Sequence, residues 1–197
     1  MSKATDRLDR MISLVRRYRP RLRLVDRNEV RWFALCGEAM RPVVGEVNRK
    51  FTTVLGDTVY LPGPVDSFDR EHLAAVLAHE LVHQLDQQQF GPWFYLSYGI
   101  AAPAVRTARA MWERRAYAVD LMLAFERGGS PAVLSTLDRL VDVFAGPSYG
   151  FMWAGQASAR AYLQPIADEV LQGTLARRAP YDAILAAWRG EDEMEGV

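Results

Sequence analysis

Cysteine is nearly absent from this chain of 197 residues, because Cys36 is the only one. A single cysteine cannot form an intramolecular disulfide, and it excludes a zinc cluster built on several cysteine thiolates. Histidine is also scarce, with three residues in the whole sequence. Any bound metal ion must therefore be held by histidine and carboxylate side chains.

Targeting and membrane-spanning segments are also missing from the sequence pattern. Residues 1–20 are charged throughout and lack the apolar core of a secretory signal, so we expect a cytoplasmic protein. Residues 87–105 carry no charge, but two glycines, two prolines and three glutamines interrupt them. A membrane span needs about 20 continuous apolar residues. We therefore interpret this segment as a hydrophobic wall near the functional site.

The charges sum to zero but are unevenly distributed. Five arginines fall between positions 16 and 23, and acidic residues cluster at 191–195. The arginine stretch either contacts nucleic acid or forms the solvent-facing side of a strand, and its alternation with Leu22 and Leu24 favours the strand. The length suits one domain that spans residues 1–197.

Periodicity and turn residues predict an α+β fold, with a small, mostly antiparallel sheet followed by a helical bundle. The spacing predicts helices over 5–18, 30–36, 69–89 and 104–127, one from Ser130-Pro131, and two more near 157–173 and 181–189. Strands are predicted at 21–25 and in a hairpin centred on Gly56-Asp57, whose second strand is Thr58–Leu61. Residues 90–103 are expected to form a loop between the two longest helices.

The most informative motif is His79-Glu80-Leu81-Val82-His83, an H-E-x-x-H pattern within the predicted helix 69–89. Residues four apart lie on one helix face, so both imidazoles can reach one metal ion. Glu80 then lies beside that ion, where it can take a proton from a metal-bound water. The pattern predicts a zinc-dependent hydrolase with Glu80 as the general base.

A catalytic zinc ion usually takes three protein ligands, so a third must be found. His72 and Asp86 each lie seven residues from His79, about 10 Å along the helix axis, which is too far to share the ion. The glycine and third histidine of the metzincin pattern are absent, because Asp86 and Gln89 occupy those positions. The sequence therefore leaves a carboxylate from another helix as the third ligand.

Glu113 is the best candidate for this carboxylate. Ala116, Tyr117 and Asp120 follow it on the same face of the predicted helix 104–127. The small alanine allows close helix approach, and Asp120 is placed either to hold the far nitrogen of a histidine ligand or to lie at the surface. The alternative for Glu113 is an intrahelical ion pair with Arg109.

These residues resemble those of the gluzincin clan of zinc metallopeptidases, in which a glutamate on the next helix joins H-E-x-x-H. The matching positions are His79, Glu80, His83 and the segment 113–117, within residues 50–127. The resemblance implies a small zincin-like enzyme that hydrolyses peptide bonds, with the peptide lying along Thr58–Leu61. Tyr149 is the first candidate to stabilise the oxyanion, and Tyr117 is the second.

Three alternatives to an active peptidase remain. The motif helix can bury two histidines and a glutamate without any metal, at a cost of several kcal/mol. The chain can bind zinc without proteolysis as a component of a larger assembly. It can also be a latent enzyme in which residues 93–102 cover the cleft.

Overall fold

The α+β class is confirmed, with helices in the majority and one small sheet. The computed structural model describes residues 3–31, 52–99, 106–146 and 152–191. Its helices in these ranges are α1 (Lys3–Tyr18), α2 (Arg70–Phe90), α3 (Pro92–Gly99), α4 (Arg106–Ala145), α5 (Gln156–Leu171) and α6 (Tyr181–Arg189). The strands are β1 (Arg23–Asp26), β2 (Thr53–Leu55) and β3 (Thr58–Leu61).

The sheet has the order β1-β3-β2, so β3 is its central strand. The predicted β2–β3 hairpin is confirmed, and Gly56 adopts the positive φ of 57° that its turn requires. β3 pairs with β1 in parallel, however, so the sheet is mixed and the prediction of a mostly antiparallel sheet was wrong. The turn signal predicts a hairpin, whereas nothing local marks a parallel pairing between distant segments.

Helix α2 begins and ends where the sequence predicts. The Asp69 carboxylate accepts a hydrogen bond from the His72 backbone N–H at 2.8 Å and so caps the N-terminus. Gly91 ends the helix with a φ of 53°. α2 packs against both α1 and α4, and its Leu77 and Leu81 are fully buried in the hydrophobic core. The helix that carries the motif is thus a core element.

The segment after α2 differs from its predicted form. Residues 90–103 were expected to form a loop, but Pro92–Gly99 form the short helix α3. Proline suits the first turn of a helix because it lacks only an N–H that would have no partner there. Phe94 and Ser97 are buried, and Phe94 packs on Trp112 of α4 with ring centroids 5.2 Å apart. Tertiary packing therefore supports a helix that the sequence pattern does not reveal.

Helix α4 contains the predicted break. Gly128 and Gly129 have non-helical backbone angles, and Gly129 has a φ of 62°. The predicted helices 104–127 and from Ser130-Pro131 are therefore two parts of one kinked element. α4 packs against α2 and, more extensively, against α5.

Within the described ranges, no helix is both long and apolar enough to cross a membrane. The rest of the predicted helix 30–36 after residue 31 and the start of the predicted helix 104–127 lie outside the described residues, and so does Tyr149.

Candidate metal centre

Helix α2 places the three motif residues where they can act together. Glu80 and His83 are buried, and the His79 side chain is 15% exposed. The two imidazole rings lie edge to face with centroids 5.1 Å apart. This close approach follows from the four-residue spacing on one helix face.

Glu113 of α4 reaches the same point from the facing helix. Its Oε2 atom lies 3.7 Å from His83 Nε2 and 3.9 Å from His79 Nε2. One ligand atom from each of the three residues falls within 4.8 Å of the other two. Ala116, one turn after Glu113, is fully buried, as expected for a small residue between closely packed helices. His79, His83 and Glu113 are referred to below as the metal cluster.

The donor set of the metal cluster fits a divalent cation such as zinc. Glu113 is 1% exposed, and its Oε2 has no hydrogen-bond partner among the described residues. A buried carboxylate oxygen without a well-aligned hydrogen bond is costly, and a cation held with the two imidazoles would satisfy it. Burial alone would raise the Glu113 pKa, but His83, His79 and Arg109 together lower it to about 2. Glu113 is therefore ionised at neutral pH and available as a ligand.

Asp120 holds the other side of the His79 ring. The His79 Nδ1–H donates to Asp120 Oδ2 at 2.7 Å, which leaves Nε2 directed at Glu113. Burial lowers the His79 pKa, but the charge and hydrogen bond of Asp120, with Glu80 and Glu113, raise it to about 9. The Tyr117 ring packs edge-on against His79 with centroids 4.9 Å apart. The ring of His79 is thus oriented by two neighbours on α4.

Arg109 makes the contact that the alternative interpretation of Glu113 expects. Its Nε lies 4.0 Å from Glu113 Oε1, at the outer limit of an ion pair. The same guanidinium lies 5.1 Å from the centre of the Tyr98 ring. Arg109 therefore approaches Oε1, whereas Oε2 makes the contacts with the histidines, so its ion pair and a metal site use different oxygens.

A cavity of about 270 Å³ opens beside the metal cluster. Its lining comes from β2 and the residue before it, from α2, from α3 and from Glu113: Thr52, Thr53, Val54, Leu55, His79, Glu80, His83, Gln87, Phe94, Tyr95, Tyr98 and Glu113. Burial raises the Glu80 pKa against the opposing effects of His83 and His79, so this carboxyl holds a proton more readily than an exposed glutamate. A buried glutamate that lines a cavity beside a metal cluster is suited to proton transfer.

Two glutamines of α2 fix the hairpin at the rim of this cavity. Gln84 Nε2 donates to Gly56 O at 3.0 Å, and Gln87 Nε2 donates to Val54 O at 2.9 Å. Gln87 Oε1 also accepts from the Gly56 N–H at 2.7 Å. Sequence reasoning missed this contact, although two buried amides one turn apart on a core helix were the available signal.

The structure does not support the predicted peptide-binding strand. Thr58–Leu61 was expected to offer its edge to a peptide, but β3 pairs with β1 on one side and with β2 on the other. It is paired on both sides from Thr58 to Tyr60, so it offers no free edge there. The strand at the cavity is β2, whose far side is not paired with any strand in the described part of the chain.

The other candidates occupy separate places. His72 is exposed in the first turn of α2, and Asp86 is fully buried beside Arg115, so neither joins the metal cluster. Tyr117 contacts His79 rather than lining the cavity. Sequence reasoning also missed Tyr98, which lies in the segment 90–103 that was expected to form a loop. The Tyr98 hydroxyl donates to Glu113 Oε1 at 2.5 Å.

Comparison of the chain with protein-family models, with curated proteins and with solved structures found no match. The chemistry of the site itself is therefore the basis for inferring function.

Proposed function

We propose that this protein is a zinc-dependent peptidase of the gluzincin type. His79, His83 and Glu113 are the proposed zinc ligands, and Glu80 is the proposed general base. The observation that carries the proposal is the buried Oε2 of Glu113, which has no well-aligned hydrogen bond and lies within 4 Å of two imidazole nitrogens contributed by another helix. A bound cation would offset the cost of burying these three groups together.

The protein's own residues supply the remaining parts of a hydrolytic site. A bound zinc ion would contribute a lowered water pKa and polarisation of a carbonyl group. Glu80 takes the proton of the attacking water and later delivers it to the leaving amine. Asp120 keeps the His79 ring in the orientation that directs Nε2 toward Glu113.

The substrate is proposed to lie along β2. A peptide in extended form can pair with the outer edge of Thr53–Leu55 and place its carbonyl group at the cavity beside Glu80. Gln84 and Gln87 hold this strand by bonds to its backbone and turn, so its distance from the motif helix is fixed. Main-chain pairing of this kind favours peptides over other carbonyl substrates.

The test is hydrolysis of a mixed peptide library by zinc-loaded protein, followed by mass spectrometry. Wild type is expected to cleave peptides, and Glu80→Gln is expected to keep its zinc while losing about 10²- to 10⁴-fold in rate. Zinc binding without any cleavage would instead support a non-proteolytic zinc domain. Equal cleavage by wild type and Glu80→Gln would refute the assignment of the general base.

A further inference from the structure

Tyr98 contacts a proposed zinc ligand from a helix that carries no ligand itself. Its hydroxyl donates to Glu113 Oε1 at 2.5 Å, across the packed interface between α3 and α4. A hydrogen bond to a charged acceptor is short and strong compared with one between neutral groups. This contact therefore fixes one of the two oxygens of Glu113.

A neighbouring hydrogen bond sets the position of α3 on α4. The Trp112 indole N–H donates to Ser97 Oγ at 3.0 Å, and both side chains are buried. Ser97 precedes Tyr98 and Trp112 precedes Glu113, so two consecutive residues of α3 bond to two consecutive residues of α4. Such a pair of contacts specifies one register between the helices.

The surroundings of the Tyr98 ring fix its orientation as well. The ring stacks on Phe94 at 5.2 Å with an interplanar angle of 15°, and it meets the His83 ring nearly edge-on at 5.7 Å. Arg109 lies over the ring at 5.1 Å. These contacts belong to the ring rather than to the hydroxyl. Removal of the hydroxyl alone should therefore preserve the packing of α3.

We propose that Tyr98 is a positioning residue that assigns the two oxygens of Glu113, holding Oε1 by a hydrogen bond and leaving Oε2 for the metal. Oε2 is the atom that lies 3.7 Å from His83 Nε2 and 3.9 Å from His79 Nε2. With Oε1 held in this way, Glu113 would offer Oε2 to the metal. This inference rests on the proposed zinc centre but not on peptidase activity.

The experiment compares Tyr98→Phe with Tyr95→Phe. Tyr95 also lies on α3 and lines the cavity, but its hydroxyl donates to Gln87 Oε1 at 2.9 Å and touches no proposed ligand. Zinc affinity is measured by competition with a chromogenic chelator. Visible absorption of the cobalt-substituted proteins reports the coordination of the metal.

We expect Tyr98→Phe to weaken zinc binding by about 10- to 100-fold, the usual effect of removing a group that holds a metal ligand. Its cobalt absorption bands should also shift, while Tyr95→Phe matches wild type in both measurements. Unchanged zinc affinity in Tyr98→Phe would overturn the inference. Equal weakening in both variants would overturn it too, because the cause would then be altered packing of α3.

The inference and the proposed function fail in different ways. If wild type binds zinc and Tyr98→Phe binds it weakly, Tyr98 has its proposed role even when no peptide is cleaved. If peptides are cleaved but Tyr98→Phe binds zinc as wild type does, the peptidase stands and the role of Tyr98 falls. If wild type binds no zinc, both are overturned.

Discussion

Replacing Asp86 by asparagine should stabilise the protein increasingly as the pH rises. Asp86 is fully buried near the C-terminal end of α2, and neither carboxylate oxygen has a well-aligned hydrogen-bond donor among the described residues. Arg115 Nη2 lies 3.0 Å from Oδ1, but this arginine side chain is 40% exposed. Burial raises the Asp86 pKa from its ordinary 3.8 to about 6, against the opposing effects of Arg115 and His83.

The sign of the effect follows from proton linkage. A carboxyl group whose pKa is higher in the folded protein binds its proton more tightly there, so ionisation favours unfolding. The loss of folding stability caused by ionisation of Asp86 is nearly absent below pH 3.8. It grows as the pH passes from 3.8 to about 6 and is nearly complete above that value. From these two pKa values, ionised Asp86 lowers the free energy of unfolding by about 3 kcal/mol at pH 8 and by about half of that at pH 5.

Asparagine has nearly the same shape and carries no charge at any pH, so the variant lacks this penalty. We expect the stability of Asp86→Asn relative to wild type to increase by roughly 1–2 kcal/mol between pH 5 and pH 8. Urea unfolding of the metal-free proteins, followed by circular dichroism, measures the difference at each pH. Excess chelator is needed because a ligand that binds only the folded state adds its own stabilisation.

A matched control is Asp138→Asn, since Asp138 is an exposed aspartate paired with Arg160 on the surface. Its stability difference should change little with pH over this range, because exposed ion pairs contribute little. The reasoning is refuted if Asp86→Asn loses stability relative to wild type as the pH rises. A pH-independent difference would refute it as well, because the Asp86 pKa would then be the same in the folded and unfolded chains.

Two further predictions concern the surroundings of the metal cluster. Asp120→Asn should lower the His79 pKa from about 9, so that His79 carries less of a proton at pH 8. Zinc binding at pH 8 should then release about one proton fewer than in wild type, and calorimetry in buffers of different ionisation enthalpy measures this number. Equal proton release would contradict this. Gln87→Leu removes the hydrogen bonds to Val54 and Gly56 and should lower the free energy of unfolding by roughly 1–3 kcal/mol. Hydrogen exchange of the backbone amides in residues 52–61 should become faster. Unchanged exchange would show that Gln84 alone holds the hairpin.

Local signals predicted much of the fold correctly. The Asp69 cap and Gly91 bound α2 within one residue of its predicted ends, and Gly56-Asp57 lies at the predicted hairpin turn. Each signal is encoded in a few neighbouring residues, so it can be read without knowledge of the tertiary structure. The parallel pairing of β1 with β3 has no such code, because Arg23 and Thr58 meet only when the chain has folded.

Local signals likewise predicted some residues of the candidate site and could not predict others. The motif histidines share one helix, and Glu113 was suggested by the small and polar residues that follow it on one face of the next helix. Tyr98 could not be predicted, because its position depends on α3 forming and on Ser97 meeting Trp112. The segment 90–103 was predicted to be a loop. Tyr149 lies outside the described residues, and its role stays a prediction.

Zinc content per chain tests the three-ligand site most directly. Wild type, Glu113→Ala, His83→Ala and His72→Ala are purified in parallel, loaded with zinc, desalted and measured by atomic emission. His72 is the matched control, since it is an exposed histidine on the same helix. We expect about one zinc ion in wild type and His72→Ala, and much less in the other two variants. Full zinc retention in Glu113→Ala, or no zinc in wild type, would contradict the proposed site.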